Sequence, residues 1–129
     1  MPLTLIECRR GLTLAQKRAL LDAVHASLVE AFKIPERDRH QRFMEYAPED
    51  FEIPGDKGER FTLVSLDVFP GRSLAAKRAL YQGIVTRFEA QGIPPRDVFI
   101  VLREPPLENW GLRGGVPASE IKFDFKMDV

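Results

Sequence analysis

Apolar and polar residues alternate along the chain in a pattern that occurs twice. Residues 3–8 and 61–69 are rich in apolar and β-branched side chains and read as strands. A helical period follows each: Leu21, Val24, Leu28 and Phe32 share one face, and Leu80, Ile84 and Phe88 share the equivalent one. Thr13 and Ser73 stand at matching N-cap positions, and Thr13 with Gln16 has capping-box spacing. Ile34-Pro35 and Ile93-Pro94 end the two helices, because the residue before proline avoids the helical region. A second strand follows in each unit, over about 39–46 and 98–103. The echo reaches the level of residues. GLTLAQKRALL at 11–21 is answered by GRSLAAKRALY at 71–81, and IPERD at 34–38 by IPPRD at 93–97. Glu45 then corresponds to Glu104.

The pattern predicts an α/β fold, an α+β sandwich made of duplicated β-α-β units. Each short crossover joins a parallel strand pair. Two units give a four-stranded mixed sheet with both helices on one face. The expected layout is one domain over 1–129: repeat one at about 2–46, a connection at 47–60, repeat two at about 61–104, and a C-terminal loop and strand at 105–129. In the tail, Ile121, Phe123, Phe125, Met127 and Val129 alternate with Lys122, Asp124, Lys126 and Asp128, which predicts a strand with one apolar face. A sheet covered on one side only implies an oligomer.

Composition narrows the function classes. The chain has 129 residues, 44% of them hydrophobic, and 19 basic residues balance 19 acidic ones. That balance gives no net field toward nucleic acid or a membrane surface. No run approaches the roughly 18 apolar residues of a membrane span, and the start lacks a signal-peptide core. Cys8 is the only cysteine, which suits a reducing cytoplasm and reads as a small core residue. His25 and His40 are far apart and make weak metal-ligand material, and no phosphate-loop or dinucleotide fingerprint occurs. Neither a metal nor a cofactor is expected.

Four places could carry chemistry. Removal of the initiator methionine ahead of Pro2 would expose a secondary amine, a good base or Schiff-base former. An ordinary α-amine has a pKa of about 7.7–8.0, and burial beside a cation lowers it. Arg72 replaces its repeat partner Leu12, so the duplicated frame does not require it. A cation beside a helix N-terminus is unfavourable unless an anion binds between them. Asp38 precedes a strand, as Asp97 does in the second copy, so a turn role competes with a catalytic one. His40 and Arg42 share its strand face. Trp110, between Asn109 and Gly111, belongs to a shaped loop rather than core; it either walls a pocket, with Arg113 reaching a carboxylate, or makes a subunit contact.

Together, Pro2 opening a strand, Gly71-Arg72-Ser73 before a helix with Lys77, Pro35-Glu36-Arg37-Asp38 entering a strand, and Asn109-Trp110-Gly111 resemble the tautomerase superfamily, in which an amino-terminal proline is catalytic. The likeness is to fused two-repeat members similar to malonate semialdehyde decarboxylase. It implies a homotrimer, Pro2 as acid/base, Asp38 activating water or orienting substrate, Arg72 binding a carboxylate, and Trp110 in an apolar wall. His40 stands where those members tend to have a tyrosine. They also carry a second arginine shortly before the one matched by Arg72, and Phe69-Pro70-Gly71 supplies none. The expected activity is keto–enol tautomerisation of a small 2-oxo acid. The alternatives are decarboxylation or hydration of a 3-oxo acid, and a non-catalytic trimeric binding protein.

Overall fold

The computed structural model describes residues 2–129; the expected removal of Met1 concerns a residue outside that range. Strand β1 (Leu3–Arg9) turns its even-numbered side chains, Thr4, Ile6 and Cys8, into the interior. Helix α1 (Leu14–Phe32) opens on the expected capping box. The Gln16 N–H donates to Thr13 Oγ1 at 3.1 Å, and the Thr13 N–H donates to Gln16 Oε1 at 2.8 Å. It closes on Lys33, which takes a left-handed conformation (φ 57°) and donates its N–H to Val29 O. Strand β2 (His40–Tyr46) then pairs parallel with β1, Leu3 opposite His40.

The second copy repeats the course with β3 (Thr62–Asp67), α2 (Leu74–Ala90) and β4 (Val98–Arg103), β3 and β4 being parallel. Ser73 caps α2 through the Ala76 N–H, but Ala76 cannot return the bond that Gln16 makes in copy one. The copies join through antiparallel β1 and β3, giving the sheet order β2-β1-β3-β4. The small strands β5 (Gly111–Leu112) and β6 (Val116–Pro117) form a separate hairpin.

The core lies between the sheet and the two helices. Ile6, Val64 and Leu66 meet Leu20, Val24, Leu28 and Phe32 of α1 and Leu80, Ile84 and Phe88 of α2. Leu21, placed on that face by periodicity, is only half-buried, and Leu20 fills the centre instead. The helices approach closely at Gly83, where a Cβ would stand 3.2 Å from Ser27 Oγ and 3.1 Å from Arg87 Nη1. The opposite face of the sheet leaves Met44 51%, Phe99 53% and Val101 39% exposed.

The tail is not a strand. Residues 121–129 keep the predicted alternation, with apolar side chains half-buried and charged ones exposed, but among the described residues no strand pairs with them. Instead Phe123, Phe125 and Met127 pack on Phe69 and Trp110 as a second small core. Alternation reports that an extended segment has one buried face; a ladder also needs backbone partners, which the tail lacks within this chain.

Candidate active site at the Pro2 end

The mixed topology brings chemistry-bearing residues to one end of the sheet. Pro2, which is buried, leads into β1 there. Because β1 runs antiparallel to β3 and parallel to β2, that end also holds the last residue of β3 and the first of β2. The segment from Val68 to Ser73 then turns into α2, tied to β4 by the Val68 N–H donating to Arg103 O at 2.9 Å.

Arg72 is the unusual member. It is 7% exposed, its Nη1 donates to Phe69 O at 2.9 Å, and its guanidinium lies 5.0 Å above the centre of the Phe32 ring. Its Nε is buried with no hydrogen-bond acceptor among the described residues. Burial holds its pKa below the ordinary value, opposed by the fields of Glu104 and Asp38. A buried guanidinium with an unused donor is costly by itself. An incoming carboxylate would offset that cost. Gly71 makes the turn possible: its φ is 123°, and a Cβ there would stand 3.0 Å from Met127 O.

Asp38 falls within Arg72's field, and its carboxylate lies 3.6 Å from His40 Nε2, with the Asp38 side chain only 12% exposed. Its repeat partner Asp97 has a different task. Asp97 is 1% exposed and accepts the Gly58 N–H at 2.9 Å, pinning the connection between the copies. The shared aspartate is thus an anchor in copy two and lies beside an arginine and a histidine in copy one.

Trp110 is buried, contrary to its reading as a loop residue outside any core. Its Nε1 donates to Pro105 O at 3.1 Å, and it meets Phe69 edge-on at 4.9 Å between ring centres. Glycine neighbours marked a turn in the sequence, but they gave no sign that the tail would fold over the ring. With Leu3 in the same cluster, Trp110 forms part of the apolar surroundings of Pro2's end. Arg113 is not gathered with the others; it stands exposed at the tip of the β5–β6 hairpin with φ 48°. Sequence reasoning passed over Lys77 and Glu104 as a pair, joined at 2.6 Å. The signal was present, since the corresponding Lys17 and Glu45 also pair. Among the described residues no three His, Cys, Asp or Glu side chains gather closely enough to hold a metal ion.

A family model described as "Tautomerase enzyme" matches residues 38–113, and a second with the same description matches residues 2–59. The chain belongs to the tautomerase superfamily. Probable tautomerase YrdN of Bacillus subtilis (strain 168) is 32% identical over 116 residues, 85% of this chain and 89% of its own. Among solved structures, malonate semialdehyde decarboxylase superposes with a TM-score of 0.78 at 29% identity, covering 87% of this chain and 92% of its own. A fused 4-OT solved as a symmetric trimer gives 0.81 at 30%, covering 91% and 96%. The duplicated β-α-β sandwich is therefore the fold of a tautomerase-superfamily enzyme. Among the described residues no helix is long and apolar enough to cross a membrane.

Proposed function

We propose that this enzyme is a cofactor-independent tautomerase of small 2-oxo acids, with the secondary amine of Pro2 as its acid/base group once Met1 is removed. The observation that carries the reading is the buried Arg72 with its unused Nε, at the same end of the sheet as Pro2. Arg72 receives the substrate carboxylate. Burial of Pro2 disfavours its protonated form, so the free base is the state in which it acts here. It takes a proton from the carbon beside the ketone, the C–H electrons form the C=C bond, and the carbonyl oxygen receives the proton to give the enol. Arg72 stabilises the charge developing between these states. Trp110 and Phe69 keep water from the reacting carbon. Support comes also from malonate semialdehyde decarboxylase, for which a first-position proline-to-alanine mutant was solved.

The second reading is a lyase or hydratase acting on a 3-oxo acid. The Asp38–His40 pair favours it, as a group able to activate water. The missing second arginine before Arg72 weighs against decarboxylation. We further propose that the chain is cytoplasmic and forms a homotrimer. The exposed Met44, Phe99 and Val101 face needs a cover, and the fused 4-OT relative is a trimer. Turnover of a phenylpyruvate-like 2-oxo acid and of a 3-oxo acid, followed against pH on protein with a verified Pro2 terminus, tests the assignment. Ketonisation or enolisation that rises with pH to a plateau as Pro2 loses its proton is expected. Activity on the 3-oxo acid alone, requiring protonated Pro2, would replace the first reading by the second. Sedimentation as a monomer at micromolar concentration would refute the trimer.

A further inference from the structure

Duplication gives the chain a second end built like the first. There the turn from Arg9 to Thr13 leads into α1, as the turn from Phe69 to Ser73 leads into α2. Thr62, the first residue of β3, takes the repeat position of Pro2, and Leu12 takes that of Arg72. This end contains a cavity of about 370 Å³. That volume is at the small end of the range for small-molecule pockets.

The chemistry of its walls is distinct. Among the described residues, Arg9, Arg10 and Arg60 line it against a single carboxylate, Glu59. Arg9 spends its Nε on Phe51 O at 3.0 Å, while no hydrogen bond or ion pair among the described residues occupies the side chains of Arg10 and Arg60. Glu45, behind the turn, is already neutralised by Lys17. The lining also offers apolar surface in Leu12 and Ile93, and in Cys8, which burial keeps as a neutral thiol. A nitrogen able to act as a base is missing, because Thr62 contributes a chain amide where Pro2 would contribute an amine.

We propose that this end is a second, non-catalytic binding site for a small organic carboxylate with an apolar body, its charge held by Arg10 and Arg60 and its body laid on Leu12 and Ile93. The cavity and its charge stand independently of the activity assigned to the Pro2 end. Backbone amide NMR shifts of the assembled protein, titrated with 3-phenylpropionate, test it. Saturable shifts at Gly11, Leu12 and Thr62 are expected, and they persist in Arg72→Leu, where the Pro2 end has lost its anchor. Combining Arg10→Ala and Arg60→Ala should weaken this binding about tenfold or more, the scale of losing charge-assisted contacts. Arg10→Lys with Arg60→Lys, which keeps both charges, should retain most of the affinity and guards against misfolding of the double variant. Absence of saturable shifts at those amides overturns the proposal. So does binding that ignores the alanine substitutions, or saturation by inorganic phosphate and not by 3-phenylpropionate.

Discussion

Replacing Arg72 by leucine separates its structural from its chemical contribution, because Leu12 already occupies the same position in copy one. On the folding side, Arg72→Leu removes the Nη1 bond to Phe69 O, worth about 1.5–3 kcal/mol for a charged donor. It also removes the contact over Phe32, worth about 0.5–2 kcal/mol. Against this, it relieves a buried Nε without an acceptor, about 1–3 kcal/mol, and buries leucine in place of a cation, about 1.5–2 kcal/mol. The sums nearly cancel, so folding should change by no more than about 2 kcal/mol. At this chain length that is a melting shift of roughly 8 °C or less. On the catalytic side, a carboxylate held by a guanidinium away from water loses about 2–4 kcal/mol of transition-state binding. That is on the order of 30- to 1,000-fold in kcat/KM for a 2-oxo acid. Melting temperature and kcat/KM should be measured on the same preparations at one protein concentration. Arg72→Lys should recover only part of the rate, because an ammonium cannot supply a bidentate fork. A variant that melts far earlier while its folded fraction stays fully active would show Arg72 to be structural and refute the site.

Pro2→Ala, with Met1 removed, should lower turnover by about 10²-fold or more, the scale of a lost general base; unchanged steady-state turnover would rule out Pro2. Asp97→Ala should destabilise the protein by about 1–3 kcal/mol in urea unfolding, because it removes the buried carboxylate that holds the half-buried Gly58 N–H. Gly58→Ala should destabilise it too, since the new Cβ would stand 2.7 Å from Asp97 Oδ2. Cys8 should resist iodoacetamide at pH 8 in the folded protein. Its thiol, pushed up to about 11 first by burial and then by Glu45, leaves on the order of one thiolate in a thousand. Rapid alkylation seen by mass spectrometry would contradict that environment.

The duplicated frame was legible because it is written in local signals. The caps at Thr13 and Ser73, the prolines after each helix and the apolar faces of the helices each act within a few residues, and apart from Leu21, whose place in the core Leu20 takes, they fall where expected. What the sequence could not show depends on contacts distant along the chain. The tail's alternation was real, but whether it found a ladder partner depends on what lies beside it. Trp110 is buried because residues 123–127 fold over it, which its glycine neighbours do not encode. Asp38 and Asp97 look alike in IPERD and IPPRD. Only the fold shows that Gly58 occupies one and that Arg72 and His40 flank the other. Arg72, by contrast, stood out in the sequence because the repeat supplied its own control in Leu12.

If the free secondary amine of Pro2 does the chemistry, two preparations of one sequence should differ sharply. In one, intact mass shows Met1 removed; in the other, Met1 is retained and the Pro2 nitrogen is an amide. Both are assayed for tautomerisation of the same 2-oxo acid at equal folded concentration. Turnover is expected in the first and a loss of about 10²-fold or more in the second. Equal turnover in the two would contradict it.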